Sequence, residues 1–174
     1  MQYQWPGDGN PYGPGYNPTW GSSDFVWYYY FGGGAPINLA DIGLLMKFQS
    51  APDVVNKVND FKSIVLSKVA NAKSQLCPVE IVAIGDYSDI YDTTTNVTRE
   101  IFSVGQSTFF RRYTCGLSAK CNGSKICDWN YKCKLHFSIR DMFADPLDIG
   151  IEPGGTPYQI NAYWDVVLTG PEDK

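Results

Sequence analysis

The chain has one histidine, His136, in 174 residues. Any imidazole acid–base step must therefore use that side chain. No run of residues is long and apolar enough to cross a bilayer, and Met1-Gln2-Tyr3-Gln4 has neither the charged start nor the apolar core of a signal peptide. A surplus of positive charge is missing as well: the formal net charge is -4, so nucleic acid is not expected as a partner. Three common catalytic signatures are absent. Gly32-Gly33-Gly34 is not followed by the Gly-Lys-Ser/Thr of a phosphate loop, Gly105-Gln106-Ser107-Thr108-Phe109 lacks the closing glycine of the hydrolase elbow, and no His-Glu-x-x-His zinc motif occurs.

What is present begins with cysteine. Cys115, Cys121, Cys127 and Cys133 recur every six residues around Asn122-Gly123-Ser124-Lys125. An even step keeps all four on one face of a strand, and Asn-Gly is a strong hairpin signal because both residues tolerate positive φ. A fold about Ser124 sets Cys121 opposite Cys127 and Cys115 opposite Cys133, which gives two cross-strand disulfides and leaves Cys77 odd. Zinc is the rival reading, but structural zinc ligands come in closer C-x2-4-C pairs. Disulfides point to an oxidising compartment, hence to a secreted or periplasmic protein. Arg111, Arg112, Lys120, Lys125, Lys132, Lys134 and Arg140 make this hairpin basic, with Asp128 its one acid.

Around the hairpin the sequence predicts an α+β fold, two N-terminal helices packed on a twisted antiparallel sheet. Residues 1–23 read as a Gly/Pro/Tyr-rich arm or linker and residues 24–170 as one domain. The aromatic run Phe25 to Phe31 reads as a strand broken by the three glycines. Asn38 reads as the cap of a helix reaching Phe48. Val54, Val58, Phe61, Val65, Val69, Ala72 and Leu76 step by three and four, the pattern of a helix over 53–76 with one buried stripe. Residues 85–98 read as a polar loop. Cys133, Leu135, Phe137 and Ile139 alternate with Lys132, Lys134, His136, Ser138 and Arg140, and a second alternation runs from Tyr158 to Leu168.

Carboxylates gather just after the first of these strands, at Asp141, Asp145, Asp148 and Glu152. His136, Arg140, Asp141 and Asp145 form the one compact set that combines a base, a cation and carboxylates, as a hydrolase would need. Asp141, Asp145 and Asp148 could hold a divalent cation, Mg²⁺ or Ca²⁺, although their spacing matches no EF-hand loop. The competing reading is an ordinary turn in which aspartates cap backbone amides.

Phe102-Ser103-Val104-Gly105-Gln106-Ser107 and Phe137-Ser138-Ile139-Arg140-Asp141-Met142-Phe143-Ala144-Asp145-Pro146 carry a resemblance. Over at most residues 101–168 the chain resembles the toxic tips of bacterial polymorphic toxins, and the Asp-x-aromatic-x-Asp segment is similar to that of colicin M-like toxins. The resemblance implies an antibacterial hydrolase of the lipid-linked peptidoglycan precursor, delivered to the periplasm by a larger secreted carrier chain and countered by a cognate immunity protein. His136 and Arg140 precede the acidic segment, whereas the basic residues of such a site should follow it.

Two non-enzymatic readings stand beside this one. A glycan- or protein-binding module would present Trp5, Tyr16, Trp20 and Tyr28 to Tyr30 on one exposed face. A membrane-active domain would insert the 53–76 helix.

Overall fold

The structure, a computed structural model, describes residues 19–75, 81–84, 91–96, 101, 104, 106–122, 126–144 and 154–171. Among the described residues three helices and six strands follow one another: α1 (Ser22–Phe31), β1 (Ile37–Asn38), α2 (Leu45–Gln49), α3 (Pro52–Gln75), β2 (Ile81–Ile84), β3 (Tyr91–Asn96), β4 (Gln106–Asn122), β5 (Ile126–Phe143) and β6 (Tyr158–Pro171). The sheet runs in the order β1-β6-β5-β4-β2, with β3 also paired to β4. The fold is α+β. Its sheet is mixed, because β1 lies parallel to β6, with Ile37 beside Ile160.

Contacts divide the chain into two units. The first comprises Met1–Ala51, Asn96–Ser107 and Arg140–Ala162, the second Pro52–Thr95, Thr108–Ile139 and Tyr163–Lys174.

In the first unit the aromatic run forms helix α1, not the expected strand, so three helices stand where two were expected. Seven consecutive aromatic or apolar residues carry no visible period, and the ends decide the outcome. The Asp24 carboxylate accepts the Gly21 amide at 2.7 Å, which closes the first turn. Gly32 ends the helix by donating to the Tyr28 carbonyl, and Gly33 and Gly34 follow at φ 71° and 80°. Phe25 and Tyr29, one turn apart, are buried, and both rings meet Phe143. Phe143 stacks in turn on Tyr158, whose hydroxyl donates to the Phe25 carbonyl. Asn38 does not cap a helix. Its Oδ1 accepts the Ala40 amide in an Asx turn, and Gly43 at φ 71° delays the helix, so α2 is five residues long.

Gly155 lies flat against the Tyr29 ring, and a Cβ there would fall well inside the van der Waals surface of its Cδ1 and Cε1 atoms. The Thr156 amide donates to the Tyr29 carbonyl at 2.8 Å, which pins that backbone in place. Gly155→Ala should therefore cost about 2 kcal/mol by overpacking. The Gly155→Ala, Tyr29→Leu double variant should recover part of the loss in urea unfolding, whereas an unchanged midpoint in Gly155→Ala would rule the contact out.

In the second unit α3 turns Val54, Phe61, Val65 and Val69 inward, as the periodicity predicts. Phe61 meets Tyr113 of β4 and Phe137 of β5 edge-on. Phe109, Phe137 and Trp164 form a stack across β4, β5 and β6. Cys115 and Cys133 are joined by a disulfide, their Cα atoms 4.0 Å apart. The side chains of Cys121 and Cys127, and all of Cys77, lie outside the described residues. Residues 91–96 form a strand inside the segment expected to be a loop; Thr95 there is fully buried and donates to the Asp53 carboxylate at 2.8 Å. That partner lies 42 residues away, so a local reading of the polar segment could not find it.

Candidate functional site

Strand β5 positions most of the expected site residues, and its alternation decides where they point. Cys133, Leu135, Phe137, Ile139 and Phe143 are all buried, while Lys134 and Arg140 between them are exposed. The alternation has no break. Asp141 therefore stands on the core-facing side, between Ile139 and Phe143, and is only partly accessible.

His136 and Arg140 belong to the other face. Strand β5 does not bring His136, Arg140 and Asp141 to one face: His136 and Asp141 are five positions apart, and an unbroken strand sends side chains an odd step apart to opposite sides. His136 Nδ1 instead meets Asp165 Oδ1 of β6 at 2.5 Å, and Lys134 Nζ lies 2.9 Å from Asp165 Oδ2. The Lys134 and His136 contacts hold the Asp165 carboxyl below the usual carboxylate range. All three side chains are largely in water, so the cluster adds little to stability. Asp165 was not among the expected residues, because pairing it with His136 requires the β5–β6 register.

Asp141 has the opposite electrostatics. Burial pushes its carboxyl up to about 6, against a smaller downward pull from the Met142 amide, which donates to Oδ1 at 2.8 Å. Among the described residues no cation pairs with it. A carboxyl held near 6 is divided between acid and base near neutral pH, the condition for moving a proton in either direction. Asp145 and Asp148, the other carboxylates of the expected cation site, lie outside the described residues. Among the described residues no group of three or more His, Cys, Asp or Glu side chains is arranged to hold a metal.

The exposed aromatic face expected of a binding module does not form from the described residues. Trp20 and Tyr29 are buried, Tyr28 and Tyr30 are half-buried, and Trp5 and Tyr16 lie outside the described residues. Tyr28 packs on Tyr158 and Trp20, so its ring helps build the core of the first unit. Of the apolar stripe of α3, Val54, Phe61, Val65 and Val69 are likewise buried and Val58 and Ala72 half-buried, while Leu76 lies outside the described residues. Among the described residues no helix is long and apolar enough to cross a membrane.

No family model matches the sequence, and no curated protein does. Among solved structures, a neighbour is pectocin M2, a colicin M-like bacteriocin, with a TM-score of 0.37 and 18% sequence identity. The match covers 91% of this chain and 52% of pectocin M2, so the chain spans about half the length of that protein. No polymorphic-toxin domain is matched.

Proposed function

We propose that this chain is an antibacterial effector that acts at the cell envelope as a hydrolase, with Asp141 as its acid–base group. The observation that carries the reading is the Asp141 carboxyl, turned to the core side of β5 and raised to about 6 by burial. A desolvated carboxylate with no cation among the described residues costs stability, and a fold retains such a cost most readily where the group has work to do. The Cys115–Cys133 bridge supports an oxidising destination, as the periplasm is.

In this reading Asp141 takes a proton from the attacking water when ionised, and returns one to the leaving oxygen when protonated. The substrate is a phosphate-containing, lipid-linked envelope component, the class implied by the resemblance of Asp141-Met142-Phe143-Ala144-Asp145 to colicin M-like toxins. Asp145 and Asp148 are the candidates to bring a divalent cation beside Asp141. Arg140, exposed on the other face of β5, is left to dock an anionic surface, and His136 is left to Asp165. A larger carrier chain and an immunity protein are the partners that such an effector requires.

Expression in a test bacterium, directed either to the periplasm or to the cytoplasm, tests the reading. Periplasmic delivery should cut viable counts, and cytoplasmic expression should not. Asp141→Asn should restore growth at equal protein level. Harmlessness in both compartments would sink the effector reading, and undiminished killing by Asp141→Asn would sink the site.

A further inference from the structure

The β4–β5–β6 sheet of the second unit has two faces of different character. Helix α3 lies on one, where Phe61 meets Tyr113 and Phe137. Alternation sends the chain neighbours of those sheet residues to the other face. There β4 carries Arg112, β5 carries Lys132, Lys134 and His136, and β6 carries Tyr163, Asp165 and Val167; none of these side chains is buried. The side taken by β6 is fixed twice, since Trp164 stacks on Phe137 while Asp165 meets Lys134 and His136.

Two properties of this face call for a partner. The first is its charge: Arg112, Lys132 and Lys134 stand against the single carboxylate of Asp165, on a chain whose formal net charge is -4. Among the described residues Arg112 and Lys132 have no acidic partner. The second is its apolar content. Tyr163 is 57% exposed and Val167 52%, and among the described residues of the unit no large apolar side chain is more exposed.

We infer that this face docks on an anionic phospholipid bilayer: Arg112, Lys132 and Lys134 meet lipid phosphates, and Tyr163 and Val167 enter the headgroup layer. Neighbouring strands stand about 4.8 Å apart and alternate residues about 6.8 Å apart along a strand, so the cations are spread over a plane. The two donors that do converge, Lys134 and His136, already share Asp165. A spread of cations suits lipid headgroups, which diffuse and settle beside each charge wherever the strands have placed it. Lysine serves this well, because its ammonium is a point charge on a flexible stem and needs no fixed partner geometry. Tyrosine complements it, with an apolar ring and a hydrated hydroxyl, and such rings concentrate at bilayer interfaces. An acidic protein would instead have to set its carboxylates at fixed points.

Asp165 restrains the face, since a phosphate surface repels its carboxylate. Removing that acid should therefore tighten binding, a result no folding defect produces. The inference goes beyond the hydrolase reading and makes no use of Asp141.

The test is co-sedimentation of the purified, oxidised chain with vesicles of phosphatidylcholine, with and without phosphatidylglycerol. The chain should bind the anionic vesicles, leave them as salt screens the charges, and ignore phosphatidylcholine alone. Arg112→Gln, Lys132→Gln and Lys134→Gln should each weaken partitioning about fivefold, and Asp165→Asn should strengthen it by a similar factor. Tyr163→Ser should weaken it without changing its salt dependence. Lys47→Gln, which removes an exposed cation of α2 in the other unit, should leave it unchanged. Failure to bind anionic vesicles, binding unmoved by the three Gln variants, or an equal loss in Lys47→Gln overturns the inference. Adhesion to polyglutamate without adhesion to vesicles would give the face to an acidic protein and overturn it as well. The measurement does not read toxicity, so it separates failure of this inference from failure of the effector reading.

Discussion

Asp141→Asn should make the folded protein more stable at pH 7.5, by about 2 kcal/mol. The sign follows from the direction of the displacement. Burial raises the Asp141 carboxyl from 3.8 to about 6, so the native state holds its proton more tightly than the unfolded chain does. The stability associated with the protonated carboxyl is complete below about 3.8 and is lost as pH rises through about 6. One pH unit of displacement corresponds to about 1.4 kcal/mol, and partial access to water trims the total. Asparagine keeps the oxygen that accepts the Met142 amide and never ionises, so it escapes the loss. Urea unfolding of both proteins should give matching stabilities near pH 4 and a gap that opens between pH 4 and 7. Parallel pH profiles would show that Asp141 is not desolvated and would remove the basis for assigning it a role. Because the same replacement should abolish killing, stability and activity should move in opposite directions, which no folding defect can produce.

The partly buried state of Asp141 was legible in the sequence, two residues beyond the point where the expected alternation ended. The series Cys133, Leu135, Phe137, Ile139 defines the core side of β5, and extending the same step reaches Asp141 and then Phe143. Its grouping with His136 and Arg140 came from closeness along the chain, whereas a strand separates neighbours of opposite parity. The hairpin and α3 were legible for the complementary reason: both follow from local periods, a six-residue cysteine step and a three-four apolar step. Helix α1 was not, since a run of aromatics fits either period until its glycine and aspartate ends are weighed. Strand β3, the parallel pairing of β1 with β6 and the partnership of His136 with Asp165 depend on contacts far apart in sequence. No local pattern encodes the register that creates them.

Removing the Cys115–Cys133 bridge should lower stability by about 3 kcal/mol, and the loss should be felt at Asp141 as well as at the bond. The linked residues are 18 apart, and closing a loop of that size in the unfolded chain corresponds to about 3 kcal/mol in the chain-entropy account. Both sulfurs sit in the core, where Cys115 is 3% exposed and Cys133 fully buried. Cys115→Val with Cys133→Ala therefore limits the cavity and avoids leaving two buried polar groups. Urea midpoints of the double variant, and of the native chain under a strong reductant, should fall together. The pairing of β4 with β5 is held at this point. Loosening it should therefore lower the Asp141 midpoint, read by ¹³C NMR of its carboxyl carbon, toward the ordinary carboxylate value as water reaches the open end of β4 and β5. If the double variant loses stability while the Asp141 titration stays in place, the bridge is only a staple. If both move, the staple is what keeps a proton-binding carboxyl out of water, and reduction in a cytoplasm would disarm the same site that an oxidising envelope maintains.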